Sequence, residues 1–201
     1  MKQFYPFLFL TITILCITEK NEAQLTNLIG RDSVYSYYAA TDAPPPSDWY
    51  MPEFEPDGWS ADTFSIGFGE SAVHTVISPA TKSLYIRYPF YINNADAIDA
   101  VSLVADYDDG YVAYLNGKEI IRRNVPEYPV FPDFDDLANR SHETEGSRMY
   151  PVLGFYLDTM VLDTCLVTGK NLLAVHVFND STNGSDLYFN LRAYNVTSGS
   201  Y

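Results

Sequence analysis

Beyond residue 24 the chain alternates apolar and polar positions in short runs separated by Gly, Pro, Asn and Asp, and no stretch sustains the 3.6-residue period of a capped amphipathic helix. Leu84, Ile86, Tyr88, Phe90 and Ile92 alternate with Tyr85, Arg87, Pro89 and Tyr91. That period of two predicts a strand that buries one face and turns Arg87 to the other. Val101, Leu103, Ala105 and Tyr107 repeat the pattern against Ser102, Val104 and Asp106. Residues 111–115 lie between Asp109-Gly110 and Asn116-Gly117, dipeptides that tolerate the positive φ of tight hairpin turns, so a three-strand meander is expected over residues 101–122. Further strands are expected at 152–157, 171–178 and 187–194, the last with Leu187, Phe189, Leu191 and Ala193 on one face. Many short strands bounded by turn residues predict an all-β domain of sandwich type.

Two stretches break the alternation. Residues 41–62 carry five prolines and cannot be regular strand, so they are expected to wrap the sandwich as an ordered loop with Trp49, Phe54 and Trp59 packed inward. Residues 123–150 form the second, with Phe131, Phe134 and six acidic residues. Loops of that length inside a compact domain are usually functional or disordered.

The N-terminus has a separate logic. Lys2 precedes a mostly apolar run over residues 4–18, and a polar stretch then ends at Ala23. This is the layout of a secretory signal peptide, expected over residues 1–23 with the folded domain at 24–201. The run is shorter than the roughly 20 apolar residues of a membrane span, and Pro6 interrupts it, so no stable membrane insertion is expected after cleavage. The expected address is secreted or cell-surface. Cleavage would remove Cys16 and leave Cys165 alone, so the fold must rest on core packing rather than on an internal disulfide. Cys165, between Thr164 and Leu166, reads as a small buried hydrophobe.

Charge narrows the partners. The chain has 12 basic against 26 acidic side chains, a net charge of −14, and the signal segment carries Lys2, Lys20, Glu19 and Glu22, so the whole excess belongs to the domain. Without a basic run, nucleic acid is excluded as a partner, and anionic membrane surfaces are disfavoured for the same reason. With 47% hydrophobic and 19% charged residues the chain is globular rather than a disordered acidic tail.

Certain phrases are familiar as a set. Trp59 followed by Ile66-Gly67-Phe68-Gly69, then Leu84-Tyr85-Ile86-Arg87, YDDGYVAYLNGKEIIRRNVP over 107–126 and GKNLLAVHVFNDSTNGSDLYF over 169–189 resemble an exported bacterial module. It is similar to the galactose-binding-domain-like jelly rolls that accompany spore-coat-H-like, lamin-tail and metallophosphatase domains, and the resemblance covers about residues 25 to 195. It implies a single antiparallel jelly-roll β-sandwich that sits beside a catalytic or adhesive domain. It carries over no ligand residue, because fold does not fix function.

No catalytic constellation is visible. His74, His142 and His176 share no metal-protease spacing, and GxSxG, Walker and dinucleotide glycine patterns are absent. His176 alternates within a strand and is expected to be packed, whereas His142 sits in a loop. Catalytic residues are therefore expected to be none, and the chain by itself is not expected to be an enzyme. Asp106, Asp108 and Asp109 fail the EF-hand pattern, because glycine falls at its fifth rather than sixth place and Gly117 stands where a glutamate should close it. Looser calcium sites are expected at Asp133, Asp135 and Asp136, or within residues 179–186 (NDSTNGSD), where carboxylates and carbonyls lie on irregular chain.

Two functions fit these features. One is a non-catalytic module binding an extracellular glycan, since Arg123, Asn124, Tyr128, Phe131, Asp133, Phe134 and Asp136 offer rings beside hydrogen-bonding groups. The other is a structural or interaction domain that packs against a neighbouring domain, with the same rings covering one end of the sandwich.

Overall fold

The computed structural model describes residues 24–63, 65–128, 130–144 and 154–197. The expected signal segment, Cys16, residues 145–153 and hence the head of the expected 152–157 strand lie outside the described residues. The remainder is a β-sandwich of jelly-roll type, antiparallel except where Ile66 and Gly67 pair in parallel with Thr75 and Val76. One sheet contains β1 (Gln24–Ile29), β4 (Ile66–Phe68), β5 (Thr75–Val76), β7 (Ala100–Asp108), β10 (Phe155–Asp158) and β12 (Leu187–Thr197). Its order is β10-β7-β12-β4-β5, with β1 also on β12. The other sheet contains β2 (Val34–Ala40), β3 (Ser60–Thr63), β6 (Ser83–Ile92), β8 (Gly110–Leu115), β9 (Lys118–Arg123) and β11 (Gly169–Phe178), in the order β3-β2-β6-β11-β8-β9. A single helical turn, α1 (Thr159–Leu162), follows β10, its first turn capped by the Asp158 carboxylate accepting from the Val161 N–H.

The alternation read from the chain is the inter-sheet core. Leu84, Ile86 and Tyr88 of β6, Leu173, Val175 and Val177 of β11, and Tyr111, Ala113 and Leu115 of β8 face Val101 and Leu103 of β7 and Leu187, Phe189, Leu191 and Ala193 of β12. Full burial of each large apolar side chain contributes about 1.5–3 kcal/mol. Cys165 lies at the margin of the same core and is a free thiol, with burial raising its pKa.

A second apolar cluster covers the opposite face of the β6–β11–β8 sheet. Val112 and Tyr114 of β8, Leu172, Ala174 and Phe178 of β11, and Tyr85 of β6 pack beneath Trp49, with Phe54, Trp59 and Phe134 against them. The proline-rich loop thus packs its rings inward as expected, but it ends at Trp59: residues 60–62, which follow the last proline, are strand and pair with β2 as part of β3. Both faces of β8 and β11 are buried, which explains why YVAYL and LLAVHVF are almost unbroken apolar runs rather than strict alternations.

Two expectations need correction. Residues 101–122 are not a three-strand meander: β7 lies in one sheet and β8 in the other, so the chain crosses the sandwich at Asp109. Alternation could not reveal this, because Val101, Leu103, Tyr111 and Ala113 face the same core whether their strands pair or oppose. Asp109-Gly110 is accordingly no positive-φ turn. Gly110 instead sits in a crowded place, where a Cβ would lie 3.0 Å from the Asn124 carbonyl oxygen and 3.1 Å from the Ala138 Cβ. The Asn116-Gly117 expectation holds: Leu115 pairs with Lys118 across a two-residue turn whose φ values are 48° and 84°.

Leu173→Ala, at the centre of the core, is expected to lower unfolding free energy by about 2–5 kcal/mol in urea denaturation. Val34→Ala, on a 58% exposed position, should shift it by no more than about 0.5 kcal/mol.

Candidate functional site

The candidate site stands on the outer face of the β6–β11–β8 sheet, and Arg87 positions its first wall. Arg87 is 6% exposed, and Nη1 donates to the carbonyls of Trp49 and Met51 (3.0 Å to the latter) while Nη2 donates to that of Phe54 at 2.8 Å. The guanidinium also lies 5.2 Å from the Phe54 ring centroid. Burial lowers its pKa, offset by the nearby Glu55 and Asp48 carboxylates. Tight turns such as Trp49 N–H to Pro46 O (3.0 Å) and Met51 N–H to Asp48 O (2.9 Å) complete the loop and set Trp49 edge-on against Tyr85 at 4.9 Å.

The second wall is the segment after β9. Arg122 grips the Glu119 carboxylate with two 2.8 Å bonds and donates to the carbonyls of Pro126 and Val130. Asn124, at φ 56°, donates to the carbonyls of Asp109 (2.9 Å) and Arg140. Farther along, the Ser83 hydroxyl donates to the Phe134 carbonyl.

Between the walls runs a groove of about 500 Å³. Tyr50 stacks on Tyr114 at 4.7 Å, and Phe131, 59% exposed, stands parallel to Tyr114 at 6.5 Å. Pro44, Ser47, Asp133 and Phe134 line the rim, with Tyr85 and His176 at the floor. His176 is 3% exposed, stacks on Tyr85 at 4.1 Å and has Nε2 2.9 Å from the Ser83 hydroxyl oxygen. Because that hydroxyl donates elsewhere, Nε2 carries the hydrogen. Burial holds the His176 pKa well below 6.5, and burial likewise raises those of Tyr85 and Tyr114, so the floor is neutral. Among the described residues Asp133 is the one carboxylate lining the groove, which offers rings beside hydrogen-bonding groups.

The residues expected from the chain to bind ligand divide. Phe131, Asp133 and Phe134 line the groove. Arg123 instead lies over the Phe155 ring at 5.2 Å and borders a different hollow. Asn124 anchors the wall, and Tyr128 is 74% exposed outside the groove. Asp136 closes a turn by accepting from the Asp133 N–H at 2.8 Å. Trp49, Tyr50, Tyr85 and Tyr114 were missed, because each reads locally as a core ring. His142, the loop histidine, stacks on Tyr107 at 4.1 Å, and its Nδ1 meets the Tyr107 carbonyl oxygen at 2.9 Å.

Carboxylates converge elsewhere. Among the described residues, one ligand oxygen from each of Glu70, Asp108, Glu143 and Asp186 lies within 4.8 Å of the others, a group that excludes Asp133, Asp135 and Asp136. Strand register assembles most of it. Phe68 pairs with Leu187 and Asp108 with Tyr188, so Glu70, Asp186 and Asp108 meet at one end of the sheet. Gly69, at φ 82°, permits the approach, since a Cβ there would sit 2.6 Å from that of Asp186. Burial first, then Asp109, Asp186 and Glu143, pushes the Asp108 pKa up to about 8, and burial and Asp186 raise that of Glu70.

No protein-family model and no curated protein matches the chain. Solved structures share its fold. Bacteroides uniformis β-glucuronidase 2 matches with TM-score 0.52 and 10% identity over 87% of this chain and 18% of that one. A Bacteroides uniformis β-glucuronidase matches with TM-score 0.51 and 11% identity over 86% and 18%. A glycosyl hydrolase family 2 member from Bacteroides cellulosilyticus DSM 14838 gives TM-score 0.48 and 12% identity over 83% and 20%. The class defined is thus a β-sandwich of the kind that makes up a minor part of these glycosidases. This chain spans about a fifth of their length.

Arg87→Met is expected to lower stability by about 2 kcal/mol in urea denaturation, because one buried and two partly buried carbonyls lose charged donors, and to raise tryptophan fluorescence quenching by iodide. His176 adds a pH dependence. The unfolded chain protonates it as pH falls below about 6.5 whereas the folded chain does not, so its contribution is complete above that pH and is lost below it. Between pH 7 and pH 5 the wild type should lose more stability than His176→Gln, by up to about 1.4 kcal/mol per pH unit.

Proposed function

We propose that the chain is an exported, non-catalytic carbohydrate-binding module whose ligand lies along the aromatic groove. The observation that carries this reading is the row of rings in which Tyr50 and Phe131 each stack against Tyr114, beside Ser47 and Asp133. Sugar rings present apolar C–H faces for stacking and hydroxyls for hydrogen bonding, and this wall supplies both kinds of contact. The groove is large enough for one or two pyranose units, given that small-ligand sites run from about 300 Å³ upward. The recurrence of the fold within proteins named as β-glucuronidases accords with a place in carbohydrate chemistry.

A second reading has its own observation. Tyr128, Val130 and Phe131 are 74%, 53% and 59% exposed on one wall and make an apolar edge suited to a neighbouring domain or protein. The two readings part on which rings matter.

Affinity electrophoresis through polysaccharide gels, followed by a glycan array, tests the proposal. Tyr50→Ala and Phe131→Ala should each weaken glycan binding about tenfold, the loss of one stacking contact; thermal unfolding should be little changed in Phe131→Ala and lowered in Tyr50→Ala, whose ring also packs on Tyr114. Absence of retardation by every polysaccharide, or retardation indifferent to both substitutions, would overturn it in favour of the protein-contact reading.

A further inference from the structure

We infer that the aromatic groove selects uncharged glycans and rejects sugars that carry a carboxylate, so that its ligand class is neutral sugar rather than uronate. This rests on the sugar reading of the groove and narrows it by charge. Among the described residues that line the groove, Asp133 alone carries a full charge at neutral pH. The rest of the lining is rings, prolines, the Ser47 hydroxyl and the imidazole of His176.

A carboxylate that leaves water for a partly enclosed groove needs a cation to compensate it. The arginines that build the walls are engaged elsewhere. Arg122 donates from Nε and Nη2 to the two oxygens of Glu119 and from Nη1 to the carbonyls of Pro126 and Val130. Arg87 is buried under the proline-rich loop, with its donors on the carbonyls of Trp49, Met51 and Phe54. Arg123 lies over Phe155 and borders another hollow. Lys82 stands 5.4 Å from the Phe134 ring centroid and lines a separate hollow together with Asp135. The floor offers no substitute, because burial keeps the His176 imidazole neutral.

Hydrogen-bond chemistry points the same way as charge. An ionised Asp133 only accepts, and a uronate carboxylate also only accepts, so the two repel without a proton to share. A sugar hydroxyl or hydroxymethyl group donates to Asp133 and can in turn accept from the Ser47 hydroxyl. Like charges set against one another are a means of rejecting the wrong partner, and the net charge of −14 adds a long-range contribution of the same sign. The rings of Tyr50, Tyr114 and Phe131 meet the apolar C–H face that neutral and acidic sugars share. Stacking therefore supplies affinity for the class of sugars, and Asp133 supplies the choice within it.

The test is calorimetric titration of the chain with matched oligosaccharides: gluco-, galacto- and manno-tetraoses, each neutral or with one C6 hydroxymethyl group oxidised to a carboxylate. The neutral form of at least one pair is expected to bind. Its oxidised form should bind at least about fivefold more weakly at low salt, the effect of two carboxylates about 4 Å apart in water. The gap should shrink as salt is raised, since screening weakens the repulsion. Asp133→Asn should narrow the gap and Asp133→Lys should reverse it, which separates the local carboxylate from the charge of the chain as a whole. Asp133 is exposed, so both variants are expected to fold, and the isosteric Asn variant decides if Lys alters the loop. An oxidised form bound as tightly as its neutral parent would overturn the inference and leave the sugar reading standing, as would a gap untouched by both substitutions. Binding of neither form in any pair would overturn both.

Discussion

A guanidinium buried on the outer face of a strand organises this molecule. The loop over residues 41–59 is rich in proline, which contributes carbonyls without N–H groups, so it has more acceptors than it can satisfy internally. Arg87 has the complementary chemistry: donors in a fixed fork and no acceptor. By binding the carbonyls of Trp49, Met51 and Phe54 it converts an acceptor-rich loop into a lid. Everything on that side follows from the lid. Trp49 is pressed onto Tyr85, the outer faces of β8 and β11 are buried, and Tyr50 comes to rest on Tyr114. The groove is the gap left between this lid and the wall held by Arg122 and Asn124.

One end of the sandwich is organised by carboxylates. Asp109 stands where the chain leaves one sheet for the other, and its two oxygens hold the backbones of His142 and Asp180. That places Glu143 beside Asp108 and keeps the loop leading to Asp186 close to the sheet end. The −14 net charge is therefore not only a solvated coat: part of it is concentrated by the fold at one place, where Asp108 has carboxylates for neighbours.

Much of this was legible along the chain. Alternation identified the strands from β6 onward and their inward faces, though not β1 to β5, and Asn116-Gly117 marked a turn whose geometry needs two positive φ values. The inward packing of Trp49, Phe54 and Trp59 followed from prolines that forbid a strand. Within the groove, Phe131, Asp133 and Phe134 were legible because a long loop with rings and acids is unusual. Tyr50, Tyr85 and Tyr114 were not, because a ring in an apolar run has the same local pattern whether it faces a core or a groove. The carboxylate group was visible only in fragments, with Asp108 and Asp186 in two stretches noted separately and Glu70 and Glu143 in neither.

What the amino-acid order determined by itself is what depends on neighbours in sequence: the all-β class, the strand positions from β6 onward, their faces, the turn at Asn116 and the location of the irregular stretches. Period-two alternation is a local property, fixed by backbone geometry. Only the tertiary structure decided which strands pair and which oppose, because alternation is identical in both cases. It sent β7 and β8 to different sheets, turned Asp109-Gly110 from a turn into a crossing, and made Arg87 an anchor rather than a solvated charge. It also drew Glu70, Asp108, Glu143 and Asp186 together from positions far apart in the chain, since register across β4, β12 and β7 is a long-range choice that no short window of sequence contains.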